Sequence, residues 1–417
     1  VIEGRFGEVS SNLPADVRVS KSLIDGMLAK EIRTGEVITE QRLERPLLLM
    51  SDLPGINVKS DIRPGNAVGL ANVTANVEKK PTVDGSFEFD NHSSRFIGEY
   101  RASLGLNINS PLGFGDQLSM KLIGSDERFY FARVAYALPV NYYGTRMGLS
   151  YSEFGYRLAQ PEFSQLRSNG AGKVITAFGF HPIIRQRNAN LIIQAAYEEK
   201  YLTDKTDSIP TVEERKFITS KVGAVGDWRD GMLGGGLNSF SFVYTEGEVD
   251  IRPDAFRATD QGATGLRTQG RFSKENYDFR RLQKLTSAMT FLFSAQGQFA
   301  NKNLASAEKI GLGGPNGVRA YPAGEGSGYE AHIFTGELRY LVTDLMPSVL
   351  PGDATFSAFY DLGFATIDDA PRQDTARNKR AIAGYGLGFS IGKDQHYVLR
   401  TSMAWQAERE QALSDGV

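Results

Sequence analysis

The chain has no cysteine among its 417 residues. Disulfide frameworks, thiolate nucleophiles and cysteine-bound zinc are excluded together, and an oxidising compartment is tolerated. Histidine is scarce: His92, His181, His332 and His396 are scattered without metal-ligand spacing. Charge of one sign is also lacking, with 47 Lys and Arg against 49 Asp and Glu for a net charge of −2, so no field attracts nucleic acid. No run approaches the about 18 consecutive apolar residues of a membrane-spanning helix. Pro46-Leu47-Leu48-Leu49-Met50 is among the longest. Helical membrane proteins are excluded, but β-barrels are not, because their strands alternate lipid-facing and lumen-facing residues. A mean hydropathy of −0.30 is therefore uninformative. The chain opens at Val1 without Met or a basic and apolar leader, which reads as a mature form or, better, a fragment of a larger protein.

What is abundant is glycine, at 45 positions, with 41% hydrophobic residues and 11% aromatics: a folded chain with many turns. Residues 1 to about 82 read as a small α/β domain. An extended Arg5-Phe6-Gly7-Glu8-Val9-Ser10 leads to Ser20, the expected N-cap of a helix whose Leu23, Ile24, Met27, Leu28 and Ile32 share one face and which Gly35 closes. A second helix starts at Thr39, carries Leu43, Leu47 and Met50, and tolerates Pro46 at the cost of a kink. It stops at Asp52-Leu53-Pro54-Gly55. Extended segments from Ile56 to Ile62 and from Val68 to Val77 follow, split by the turn Arg63-Pro64-Gly65-Asn66.

From about residue 84 the apolar period becomes two and stays so, with no convincing helix. Tyr100, Ala102, Leu104, Leu106 and Ile108 alternate with Arg101, Ser103, Gly105 and Asn107. Phe356, Ala358, Tyr360, Leu362 and Phe364 oppose Ser357, Asp361 and Gly363, and Ala383, Tyr385, Leu387, Phe389 and Ile391 alternate with glycine and serine. About fifteen such segments begin near residues 84, 96, 115, 128, 143, 172, 189, 213, 236, 270, 287, 329, 354, 380 and 396. Their length fits the roughly 9 to 11 residues of tilted membrane strands better than soluble strands of about five or six. Aromatics such as Tyr130, Tyr142, Tyr143, Tyr156, Tyr201 and Trp405 recur toward segment ends, where a headgroup-level girdle wants them. A soluble sandwich or propeller is disfavoured by amphipathic runs this long and by the absence of a blade-length repeat. Bacterial barrels are normally even-numbered, so Gln411 to Val417 reads as a turn toward a sixteenth strand that the chain lacks.

Several motifs carry a family resemblance. Asp52-Leu53-Pro54-Gly55-Ile56 followed by Arg63-Pro64-Gly65 resembles the barrel-proximal POTRA domain of TpsB transporters, the outer-membrane members of two-partner secretion systems. Asp90-Asn91-His92-Ser93-Ser94-Arg95-Phe96-Ile97-Gly98 is similar to the family's opening hairpin. Leu312-Gly313-Gly314-Pro315-Asn316-Gly317-Val318-Arg319-Ala320-Tyr321 resembles the Val-Arg-Gly-Tyr motif of its sixth extracellular loop, with Ala320 in place of the usual Gly. Phe359-Tyr360-Asp361-Leu362-Gly363 resembles the Phe-x-Asp-x-Gly strand motif whose Asp pairs with the loop Arg. A lumen-facing Asp361 is costly unless solvated or paired, and a guanidinium on a loop folded into the barrel could supply a bidentate partner.

The resemblance implies a POTRA domain over 1–82, periplasmic, and over 83–417 a transmembrane β-barrel of sixteen antiparallel strands lacking the last, with a long loop at 304–328. It further implies an outer-membrane pore that secretes a partner exoprotein, such as an adhesin, cytolysin or contact-dependent toxin, as a monomer without nucleotide, nucleic acid or cofactor. The expected functional residues are Gly317, Val318, Arg319, Ala320, Tyr321, Phe359, Asp361 and Gly363 as a loop-to-wall latch. Leu43, Leu47, Ile56, Val58 and Ile62 are the expected exoprotein contacts on the small domain. Arg101, Glu337, Arg339 and Arg400 are expected to line the pore. Catalysis finds little support: Gly311-Leu312-Gly313-Gly314 and Gly234-Gly235-Gly236 precede no helix and lack the Lys-Ser/Thr of a phosphate loop. Charge runs at Glu198 to Lys200, Glu213 to Lys216 and Glu408 to Glu410 belong to loops or strand ends. The alternatives are an insertase of the wider POTRA-barrel superfamily and a passive porin.

Overall fold

The computed structural model describes residues 4–158, 165, 167–346, 348–369, 378–407 and 412. The chain divides into two compact units, Val1–Asp90 with Tyr100–Pro210, and Asn91–Glu99 with Thr211–Val417.

The first unit opens with β1 (Arg5–Asn12), α1 (Lys21–Glu31), α2 (Glu40–Ser51), β2 (Ile56–Pro64) and β3 (Leu70–Lys79). The strands form a sheet in the order β1-β3-β2, with β1 parallel and β2 antiparallel to β3. Ile24, Met27, Leu28 and Ile32 meet Phe6, Met50, Leu53, Ile56, Val73 and Val77 in one core, and Leu23 packs against its edge. Two expected helix signals act differently. The Ser20 hydroxyl pairs with that of Ser22, 2.7 Å away, and makes no cap to α1. Extended backbone at Ile32 ends α1, while Gly35, at φ +87°, turns the chain so that its N–H donates to Phe6 O at 2.7 Å. Thr39 does cap α2, accepting the Arg42 N–H at 3.3 Å, and α2 runs on through Pro46.

Seven antiparallel strands follow in chain order: β4 (Val83–Asp90), β5 (Arg101–Asn109), β6 (Gln117–Ser125), β7 (Tyr130–Pro139), β8 (Arg146–Arg157), β9 (Ser168–Arg185) and β10 (Ala189–Thr206). The connections 110–116, 140–145 and 186–188 lie against α1 and α2. Arg45 donates to the carbonyls of Ile183 and Pro182, both at 3.0 Å. The Arg185 fork binds Asp52 through two bonds of 2.7 Å. Gly144 (φ +83°) packs so closely under Leu49 that a Cβ would lie 2.6 Å from its Cδ2. Asp116 organises the first connection, accepting N–H groups of Leu112 and Phe114 and the Tyr136 hydroxyl. Burial pushes its carboxyl up, but the Tyr136 hydroxyl and those backbone donors outweigh it and hold Asp116 below the usual carboxylate range.

The second unit is also a meander: β11 (Thr211–Asp230), β12 (Gly236–Arg252), β13 (Gly270–Lys284), β14 (Met289–Ala300), β15 (Glu330–Val342), β16 (Asp353–Thr366), β17 (Lys379–Lys393) and β18 (Tyr397–Gln406). The described residues thus hold fifteen meander strands, as the period-two segments predict, and the start near 96 moves furthest, to Arg101. The expected turn at Gln411 to Val417 and the charge run at Glu408 to Glu410 lie outside the described residues, Ala412 excepted. Among the described residues one α-helix interrupts the strands, contrary to expectation: α3 (Asp254–Gln261), between β12 and β13. None of its residues is buried, and at eight residues it is shorter than the window a periodicity argument needs. Asp260 fastens its C-terminal end, accepting N–H groups of Thr268 and Gln269 and the Thr268 hydroxyl.

Burial along the strands is inverted relative to a soluble sheet. Leu104, Tyr360, Tyr385 and Leu387 are exposed, whereas Ser103, Ser150, Ser152, Glu337 and Asp361 are buried. In β12 the inversion ends partway. Phe242 and Tyr244 are exposed, but two residues on Glu246 and Glu248 take the exposed face and Val249 and Ile251 are buried behind them.

Candidate functional site

Between β14 and β15 the chain runs from residue 301 to 329 and folds back on itself. Val318 N–H donates to Leu312 O at 2.7 Å, Leu312 N–H to Glu325 O at 2.9 Å and Gly314 N–H to Tyr321 O at 3.0 Å. This cross-bonding lets a glycine-rich segment hold a shape without strand or helix. Its apolar residues Leu312, Val318 and Tyr321 pack on Ala331 and Ile333 of β15, Ala365 of β16 and Ile382 of β17. Close approach explains three glycines. A Cβ on Gly317 would lie 2.1 Å from Leu312 O, one on Gly363 2.9 Å from Val318 Cγ2, and one on Gly384 2.5 Å from the Ala320 methyl. Ala320 itself lies outside the left-handed region, so its backbone has no need of glycine.

At the turn of this loop Arg319 reaches Asp361. The Arg319 Nε donates to Oδ2 and Nη2 to Oδ1, both at 2.9 Å, and the Arg319 backbone N–H adds a bond of 3.1 Å to Oδ2. Thr335 Oγ1 donates to Oδ1 at 2.8 Å, so the fully buried Asp361 carboxylate accepts four hydrogen bonds. The remaining Arg319 nitrogen, Nη1, donates to Glu337 Oε2 at 2.8 Å, and Arg339 Nε donates to Glu337 Oε1 at 2.8 Å. The Arg319 guanidinium carbon also lies 3.3 Å from the centre of the Phe359 ring. Two cations and two anions balance in one cluster, and fork geometry with full satisfaction is what offsets the desolvation of buried charge. Phe359, Asp361, Thr335 and Glu337 belong together by register: in the β15–β16 ladder Thr335 faces Asp361 and Glu337 faces Phe359.

The sequence places Glu337 and Arg339 among the pore-lining charges and does not single out Thr335. Parity with Asp361 was the available signal, but partnership requires the ladder register. The expected contact surface on the small domain needs correction. Ile56 is a core residue, and Leu43, Leu47 and Val58 pack against that core. Of the five residues only Ile62 is openly exposed; Ile56 and Val58, on the same face of β2, pack into or against the core. His181 and His332 each serve a hydroxyl, of Thr145 at 2.7 Å and Tyr277 at 2.9 Å.

An apolar exposed face, a polar covered face and a loop bonded to that covered face define an outer-membrane β-barrel transporter. A family model described as haemolysin secretion/activation protein ShlB/FhaC/HecB matches residues 69–391, and the chain belongs to that family. Its members are outer-membrane transporters that export a partner protein by two-partner secretion, and this chain is one of them. The chain is 27% identical over 407 residues to the heme/hemopexin transporter protein HuxB of Haemophilus influenzae, covering 97% of this chain and 70% of that protein. It is 24% identical over 371 residues to the outer membrane transporter CdiB of Dickeya dadantii, covering 87% and 63%. Among solved structures, CdiB from Escherichia coli matches with a TM-score of 0.76 at 21% identity, covering 97% of this chain and 73% of that one. BamA from Haemophilus ducreyi lacking POTRA domains 1-3 matches with a TM-score of 0.61 at 11% identity, covering 98% and 82%. These two likenesses concern the fold.

Proposed function

We propose that residues 1–82 are a periplasmic POTRA domain that captures an extended, unfolded exoprotein and hands it to the barrel formed by 83–417, a monomeric conduit to the cell surface. β2 is an edge strand of its sheet, with Ile62 exposed, which supports capture by strand addition. Substrate folding outside the cell biases otherwise reversible threading, and no nucleotide is needed. The observation that carries this reading is the Arg319–Asp361 fork, which holds the 304–328 loop against the polar wall of the conduit. Translocation then requires the loop to be held, and released, at that point.

The test compares culture-supernatant and outer-membrane proteomes of the native cell with and without the gene, and with Arg319→Ala at normal membrane abundance. Loss of one or two large secreted proteins in both strains supports the reading and identifies the cargo. Unchanged export from Arg319→Ala overturns the latch. A broad fall in outer-membrane barrels would instead make the protein an insertase, and no change in either fraction a passive pore. In the exchange Arg319→Asp with Asp361→Arg, recovery over each single variant measures the coupling directly.

A further inference from the structure

The loop is fastened a second time. Glu325 Oε1 accepts from Arg380 Nη2 on β17 at 2.8 Å, and the two side chains are 1% and 5% accessible. Glu325 is also the hub of the loop's own fold. Its carbonyl accepts N–H groups of Leu312 and Gly313 at 2.9 and 3.1 Å, and its N–H donates to Pro322 O at 3.2 Å. Arg380 faces Ala365 across the β16–β17 ladder, whereas Asp361 faces Gly384. The two attachment points are therefore four residues apart along the wall, about 13 Å at strand rise. Between them the loop rests on glycine and apolar surface, Gly363, Ile382 and Gly384.

We infer that Glu325 and Arg380 are positioning residues for transport: they hold the folded body of the loop in place when Arg319 lets go, so that release is stepwise and the tip moves first. A buried ion pair is often no more stabilising than apolar residues of equal volume, so what it supplies here is a fixed register between loop and wall. Removing the Arg319 contact leaves Glu325, with the Leu312 and Gly313 backbone it carries, still tied to β17. Further ion pairs, Lys274–Glu308 at 2.8 Å and Lys309–Asp368 at 3.7 Å, secure the stem of the same loop. The meaning of this order for transport rests on the latch reading above. The order itself does not.

The test uses the protein in its own membrane; these 417 residues hold no cysteine, and any cysteine elsewhere in the gene product is first replaced by serine. Ala320→Cys reports the tip and Leu312→Cys, whose native side chain is fully buried, reports the loop body; both are probed on intact cells with a membrane-impermeant maleimide. Arg319→Ala is expected to raise labelling at 320 at least about tenfold while leaving 312 protected, and adding Arg380→Ala is expected to expose 312 as well. Labelling of 312 in Arg319→Ala alone, or its continued protection when both arginines are gone, overturns the inference. Heat-dependent gel mobility establishes that each barrel has assembled. Should Arg380→Ala fail to assemble, the exchange Glu325→Arg with Arg380→Glu in the Arg319→Ala background takes its place: protection at 312 supports the pair and labelling there overturns it. Labelling is read separately from secretion, so failure of the latch reading and failure of this inference are distinguishable.

Discussion

At the scale of single residues, burial decides what a charge must have around it. Asp361, at zero exposure, accepts four hydrogen bonds, which offset the cost of taking a carboxylate out of water. Asp361→Asn keeps the shape but leaves Glu337 as the anion facing the Arg319 guanidinium, and the expected loss is up to about 3 kcal/mol of loop anchoring, read as the denaturant dependence of labelling at residue 320. Arg319→Lys keeps the charge but not the fork, so secretion by this variant should fall between wild type and Arg319→Ala. Arg319 and Asp361 could be named from sequence because each stands in a short motif. Thr335 and Glu337 could not be joined to them, since alternation tells which face a residue takes and leaves its cross-strand neighbour open. Ile56 and Val58 were misplaced for a related reason: alternation identifies a face, and only the packing of α1 and α2 shows which face is covered.

At the scale of elements, the connections carry the specific geometry. Gly144→Ala puts a methyl against Leu49 in a left-handed backbone, and about 1–3 kcal/mol of destabilisation is expected, seen as faster hydrogen exchange in 140–145 and α2. Asp116 and Asp260 each have a carboxyl held below its ordinary value: burial raises it, and the hydrogen bonds they accept lower it by more. A depressed carboxylate contributes stability that is complete above its unfolded value, about pH 4, and is lost as pH falls through the folded value. Connection 110–116 is therefore expected to lose exchange protection on acidification below about pH 4, and Asp116→Asn to remove that dependence. Of these features the sequence announced the turns, through glycine, proline and aspartate, but not α3, whose eight residues bury nothing.

At the scale of the whole molecule, strand number and direction were readable because a period of two is hard to imitate over more than three hundred residues. Strand length was less readable: β9, β10 and β11 have 18, 18 and 20 residues, well past the roughly 9–11 that a tilted membrane strand needs. Placing a charge on the apolar exposed face should separate the two regimes. Phe242→Arg is expected to destabilise the protein by about 2–4 kcal/mol when unfolded from lipid vesicles, and Glu248→Arg by less than about 0.5 kcal/mol.

The switch of polarity in β12 between Tyr244 and Glu246 amounts to a waterline drawn on a single strand. Past it, where 214–220 of β11 pair with 246–252 of β12 at the end away from the 231–235 turn, Glu246 and Glu248 take the exposed face. In the proposed orientation this end faces outward, and an antibody against the patch is then expected to mark living cells that carry the transporter without entering the channel.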